Sequence, residues 1–240
     1  MAYPNLLYGP EGEQFNTYGA TQQRWPFATL LQLQDGRSYR FARAGGSTLV
    51  IGNALQSAAN AASDVDVTAI AAAVGARSLD AITTNPTVLN RYAEGYVAVS
   101  VAPGSGQVYA IDNHLAGTTA AITFNFAAGH SIRVALTTTS RLDFIANPYK
   151  SVIQSPATTP TGAHAGVAVS APTTTQHCWV QTSGLASVLT AGTVVLGEPV
   201  TTSGTAGAVM PSAAATDAQF GIVQRVAAST AWSDVYVTID

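Results

Sequence analysis

Short apolar runs closed off by Gly, Ser, Thr or Pro recur along this chain and leave room for little but β-structure. The last is the cleanest: Val235, Val237 and Ile239 alternate with Tyr236, Thr238 and Asp240. That period places one set on a buried face and the other on a polar face of a strand. Cys178-Trp179-Val180-Gln181-Thr182-Ser183-Gly184, Thr193-Val194-Val195-Leu196-Gly197 and Phe220-Gly221-Ile222-Val223 are runs of the same kind. The stretch from Gln176 to Asp240 therefore predicts a compact C-terminal β unit.

Upstream the same signals continue. Thr29–Leu33 and Ser38–Ala42 flank Gln34-Asp35-Gly36-Arg37, and Asp-Gly supplies the positive φ values that a tight hairpin turn requires. In such a hairpin Leu31 and Leu33 share a face with Tyr39 and Phe41. Thr48–Ile51, Gly95–Val101, Gln107–Ile111, Ala121–Phe126 and Ser131–Leu136 read as further strands, the last two through the alternation of Ile122, Phe124, Phe126 and of Ile132, Val134, Leu136. Residues 53–78 are Ala-rich, with Asp64 and Asp66 as possible caps, but their Ser and Asn favour turns; they predict coil with at most one short helix. Residues 146–175, rich in Pro, Thr, Ser and Gly, read as a link.

The expected fold is mainly β: an extended N-terminal arm and hairpin followed by β-sandwich or barrel units. The boundaries are 1–52 for arm plus hairpin, 53–155 for a β domain with an irregular Ala-rich lead-in, and 156–240 for a Thr/Pro-rich linker and the C-terminal β unit.

Residues 1–28 are punctuated too often by Pro and Gly for a helix, yet they carry Tyr3, Leu6, Tyr8, Phe15, Tyr18 and Trp25. A disordered tail is poor in such residues. This segment is expected to bury them on its own domain or on a neighbouring subunit, an arm docked on a neighbour being the favoured reading.

Composition narrows the function. The chain is 47% hydrophobic but only 10% charged, against about 25% for an average soluble domain, which fits either a surface packed against neighbours or itself, or equally a stable β protein with a Thr/Ser-rich surface. The net charge of −3 and a single lysine, Lys150, argue against a nucleic-acid-binding face, which needs clustered cations. Arg37, Arg40 and Arg43 read as a solvated edge strand. One cysteine, Cys178, permits no intrachain disulfide and reads as a small buried hydrophobe. No signal peptide and no membrane-spanning apolar run are evident, so a soluble product made in the cytoplasm is expected.

Candidate chemistry is sparse. None of His114, His130, His164 and His177 has the spacing of a metal pair. Asp112-Asn113-His114 is the most suggestive cluster, since residues two apart in a strand share a face and the aspartate could orient the imidazole. No nucleophile motif accompanies it: Gly104-Ser105-Gly106 lacks the nucleophile elbow, and Gly204-Thr205-Ala206-Gly207 lacks the phosphate-loop lysine. Glu11, Glu13, Glu94 and Glu198 lie in arm or turn positions rather than as a glycosidase pair. Trp25, Trp179 and Trp232 read as core or interface anchors rather than a sugar platform. No enzyme activity, metal or cofactor is expected.

Several phrases nevertheless resemble one family in order along the chain. These are Met1-Ala2-Tyr3-Pro4-Asn5-Leu6-Leu7-Tyr8-Gly9-Pro10, Tyr92-Ala93-Glu94-Gly95-Tyr96, Gly106-Gln107-Val108-Tyr109-Ala110-Ile111, Val134-Ala135-Leu136-Thr137-Thr138, Ala146-Asn147-Pro148-Tyr149 and Trp179-Val180-Gln181-Thr182-Ser183-Gly184. They are similar to stretches of the capsid decoration, cement or stabilising proteins of tailed bacteriophages. The resemblance implies a virion protein, made in the host cytoplasm, that binds the outer capsid surface as a homotrimer. Its partners would be the major capsid protein and itself, with no nucleic acid, membrane or cofactor. Under that reading Tyr3, Leu6, Tyr8, Phe15, Tyr18 and Trp25 contact the capsid or a neighbouring subunit. A phage tail or fibre β module binding host glycan is the alternative.

Overall fold

The computed structural model describes residues 6–61, 64–82, 88–117, 121–227 and 231–240. The chain is mainly β and forms two units. One comprises Met1–Ala59 with Pro148–Asp240, and the other is Asn60–Asn147. In chain order the first unit contributes β1 (Leu6–Tyr8), β2 (Leu30–Gln32), β3 (Ser38–Arg43) and β4 (Ala54–Ser57). The inserted unit follows with β5 (Val67–Ala69), β6 (Ser78–Ile82), β7 (Tyr96–Val101), β8 (Val108–His114), β9 (Ala121–Phe126) and β10 (Arg141–Ile145). The first unit then resumes with β11 (Val152–Gln154), β12 (His164–Ala168), β13 (His177–Leu189), β14 (Pro199–Thr202), β15 (Val209–Pro211), β16 (Gly221–Arg225) and β17 (Trp232–Thr238). No helix among the described residues is long and apolar enough to cross a membrane.

In the first unit an 11-stranded sheet runs β1-β2-β3-β13-β17-β16-β14-β15, with β12 pairing both β13 and β4, and β4 pairing β11. The 13-residue β13 is its spine. Its first half pairs with β3, from His177↔Arg43 to Gln181↔Tyr39, and its second with β17, from Ser183↔Thr238 to Leu189↔Trp232. The register shifts between Gln181 and Ser183, where the strand passes from one apolar cluster to the next. Trp179, Phe41, Tyr39, Leu31 and Leu55 fill the first cluster; Val188, Val200, Phe220, Val235 and Val237 fill the second.

The inserted unit is a closed six-stranded barrel, β10-β5-β6-β9-β8-β7. Ile122, Phe124 and Phe126 point inward as their alternation predicts, and their faces meet Leu79, Val97, Ile111, Leu142 and Phe144. A barrel of this size leaves an interior that side chains fill, here partly by rings: Phe124 and Phe144 lie 4.4 Å apart, and Tyr109 stacks on Phe126 at 4.9 Å.

The predicted hairpin is β2–β3. Leu31 is in register with Tyr39, and Leu31, Leu33, Tyr39 and Phe41 are all buried. Gly36 takes a φ of +87°, as the Asp-Gly turn requires.

Several local expectations are corrected. Residues 131–136 do not form a strand: the segment meets 72–76 at two separate points, Ile132 N–H to the Ala76 carbonyl and Leu136 with Ala72, both at 2.9 Å. Ile132 and Leu136 are buried, and Val134 is exposed. In residues 48–51 and 193–197 only Leu49 and Val194 are buried, while Val50, Ile51, Val195 and Leu196 face out. Consecutive apolar residues cannot all point inward from an extended chain, so one anchors the loop and the chain turns. Conversely, residues 53–78 hold strands β4 and β5 rather than coil or helix, because β11 and β12 offer β4 ladders on both sides. The 146–175 link likewise supplies β11 and β12. At Gly166 in β12 φ is +135°, and an added Cβ would lie 2.3 Å from the Gln181 carbonyl oxygen, so this crossing of β13 admits only glycine. Finally, β3 lies between β2 and β13, so Arg40 and Arg43 stand on an interior strand, not an edge.

Candidate interaction surface

On β13, β17 and β16 the alternation sends Ala186, Val188, Val223, Val235 and Val237 into the core. The opposite set faces solvent. Leu185 pairs with Tyr236, and Tyr236 pairs with Ile222, so the three side chains form one row across three adjacent strands. They remain 51%, 46% and 39% exposed. Beside them Asp234 accepts from Arg225 Nε at 2.5 Å, and Trp232, also outward, ends the face. At the Leu185–Tyr236 end an open pocket of about 370 Å³ is lined by Asp35, Gly36, Arg37, Gly184, Leu185 and Tyr236. Arg37 donates there to Asp35 at 2.5 Å and to Glu11 at 2.9 Å. The Arg37 backbone N–H, followed by its side chain, holds the Asp35 carboxyl below the usual carboxylate range. The surface thus combines an apolar, partly aromatic row with a compact ionic end. Contiguous exposed apolar side chains of this kind make the face a candidate for contact with a partner.

The N-terminal segment divides in two. Tyr3 lies outside the described residues. Leu6, Tyr8 and Phe15 face outward, Tyr8 at 79% exposed, while Leu7 turns inward against the first core cluster. Tyr18 and Trp25, expected to contact a neighbour, are taken up by the chain's own core. Trp25 packs 5.1 Å from Trp179 and 5.3 Å from Phe41, and Tyr18 lies edge-on to Trp25 at 5.7 Å. The reason is a ready-made partner. The apolar side of β3 and β13 presents Phe41 and Trp179, and the chain's own segment covers them at no cost in association entropy. Glu13 fixes this arrangement by accepting from the Tyr18 hydroxyl, from Asn16 Nδ2 at 2.9 Å and from Trp179 Nε1 at 3.4 Å. Burial, then the Glu13 bond, pushes the Tyr18 phenol up to about 12.

The Asp112–His114 pair does not assemble. A register shift between Ile111 and Asn113 breaks the alternation of β8, so Asp112 is exposed and His114 buried. His114 Nε2 accepts the Tyr92 backbone N–H at 3.0 Å, and Nδ1 meets the Leu115 carbonyl oxygen at 2.9 Å. Both ring nitrogens are therefore engaged by backbone groups, Nε2 holding the 88–95 turn and Nδ1 its own chain neighbour. His177 stacks on Phe41 at 5.6 Å, and His164 lies edge-on to Phe220. Cys178 is buried, as expected for a small hydrophobe, and burial pushes its thiol up to about 12. Among the described residues no cluster of three His, Cys, Asp or Glu could hold a metal.

Comparison with protein-family models, curated proteins and solved structures found no match. The Leu185–Tyr236–Ile222 row was missed in the sequence because each residue sits alone between buried neighbours. Only strand pairing brings them side by side. Tyr236 carries the one available signal, a bulky ring at an outward position of an alternating strand.

Proposed function

We propose that this chain is a structural virion protein that binds the outer surface of a phage capsid, contacts the major capsid protein and further copies of itself, and stabilises the shell. The observation that carries the reading is the outward row Leu185–Tyr236–Ile222, on a chain with little charge. The ordered phrases similar to decoration proteins supply the identity of the partner. Burying the half of each side chain that is still exposed is worth about 1 kcal/mol, and many copies on one shell add their contributions. Leu6, Tyr8 and Phe15 offer a second outward apolar set for a subunit contact. The test is the copy number of this chain in purified virions relative to the major capsid protein. Near one copy per capsid subunit is the expected result, and absence from the particle would overturn the reading.

One observation favours a second reading, a tail or fibre module that binds glycan: the pocket beside Tyr236 joins an exposed ring to Asp35 and Arg37, a combination suited to a sugar face and its hydroxyls. A few copies per particle together with a glycan-array signal lost in Tyr236→Ala would support it.

A further inference from the structure

A second pocket, of about 260 Å³, opens on the barrel and is lined by Gln107, Val108, Tyr109, Gly129, His130, Ser131 and Arg133. Its hydrogen-bonding groups are oriented by their own neighbours. The Tyr109 hydroxyl donates to Gln107 Oε1 and accepts the Arg133 backbone N–H at 3.2 Å. The Gln107 carbonyl is thereby occupied, and its NH2 is turned away from Tyr109. His130 Nδ1 accepts the Ala110 N–H at 3.4 Å, which puts the proton of the neutral ring on Nε2.

What these contacts leave over is a set of donors: the Gln107 amide nitrogen, His130 Nε2–H, the Ser131 hydroxyl and the Arg133 guanidinium. No carboxylate lines the pocket, and Arg133 makes no ion pair among the described residues. Backbone bonds hold the turn in place, the Arg77 carbonyl accepting the Phe126 N–H and the Ala76 carbonyl the Ile132 N–H, both at 2.9 Å. In a chain of net charge −3 the pocket thus sets one guanidinium beside several neutral donors.

We propose that this pocket is an oxyanion site, taking a phosphate, sulfate or carboxylate group, with Arg133 supplying the charge and Gln107, His130 and Ser131 the neutral donors. Charge-assisted hydrogen bonds of this type are about twice as strong as neutral ones, so Arg133 dominates.

The experiment is an amide chemical-shift titration of the full chain with inorganic phosphate, sulfate and acetate, at ionic strength held constant with chloride. Saturable shifts confined to residues around Gln107–Tyr109 and Gly129–Arg133 are expected. Arg133→Gln and Gln107→Ala should each weaken binding about tenfold, equivalent to ~1.4 kcal/mol. Arg225→Gln, which removes an exposed arginine paired with Asp234 in the other unit, should leave it unchanged. Response to acetate alone assigns a carboxylate ligand, and response to phosphate or sulfate assigns a tetrahedral one; both support the site. Shifts that fail to saturate, or that persist unchanged in Arg133→Gln with the fold intact, would overturn it. Arg133 is exposed, so its substitution tests the ligand rather than the core.

Discussion

Tyr18 and His177 exchange both backbone hydrogen bonds, at 2.8 and 2.9 Å, and so fasten the N-terminal segment to the first residue of β13. Replacing Tyr18 separates what the backbone and the side chain contribute. Tyr18→Phe removes one donor to Glu13 and is expected to cost about 1 kcal/mol. Tyr18→Ala also vacates the space beside Trp25 and Phe41 and is expected to cost about 3–5 kcal/mol. Urea denaturation followed by tryptophan fluorescence reads both, since Trp25 and Trp179 lie in this cluster. Equal costs for the two variants would mean that the ring's packing contributes nothing.

High pH should unfold this chain through its buried acids. Burial, as the foremost cause, pushes the phenols of Tyr18, Tyr39 and Tyr149 from 10 to about 12, and the Cys178 thiol from 9 to about 12. The fold favours the protonated form of each. Their contribution is fully present below pH 9 and is lost as pH rises through 10 to about 12. Urea midpoints should hold up to the lower limit and then fall together with the appearance of tyrosinate absorbance. Cys178→Ala should delay the onset of the fall, because its thiol has the lowest unfolded pKa of the four.

Gly166→Ala is expected to destabilise the first unit by about 2 kcal/mol or more. The residue would occupy a φ of +135° and push its Cβ against the Gln181 carbonyl oxygen, which belongs to the ladder between β12 and β13. Thermal unfolding monitored by circular dichroism measures it. A change below ~0.5 kcal/mol would show that the crossing can relax.

Tyr236→Ser and Ile222→Ser test the outward row. Both side chains are about half exposed and pair across the strands, so stability should fall by only about 1 kcal/mol. On the proposed reading, binding to phage capsids, measured by co-sedimentation, should weaken by about tenfold or more, the scale for side chains at the centre of an interface. Undiminished binding by the double variant would place the contact elsewhere on the chain.

The fold class was legible because it depends on local patterning. The Asp35–Gly36 turn, the Ile122–Phe126 alternation and the closing run Val235–Ile239 each specify their own strand. Apolar runs without alternation misled. Thr48–Ile51 and Thr193–Gly197 each bury one residue and then turn, an outcome that their β-branched composition does not signal. Ala54–Ser57 erred the other way: its helix-forming alanine is overruled by ladders to β11 and β12, partners roughly a hundred residues further along the chain. The outward row and the barrel pocket were invisible because their residues are distant in sequence: Leu185, Ile222 and Tyr236 meet through strand pairing, and Gln107 and Arg133 through the Tyr109 hydroxyl.

The insertion of the barrel between β4 and β11 has a consequence for synthesis. These two strands pair directly, Ser57 opposite Val152, and Ala58 N–H donates to the Ser151 carbonyl at 2.9 Å, so the barrel leaves and rejoins its host at neighbouring points. On the ribosome the six barrel strands are all present once Ile145 has emerged. At that moment β3 still lacks β13, its central partner, and Phe41 and Tyr39 have no Trp179 to cover them. Translation order therefore completes the strands of the barrel while the earlier-made hairpin still lacks its central partner. The rate at which ribosomes deliver residues 148–189 sets how long that exposure lasts.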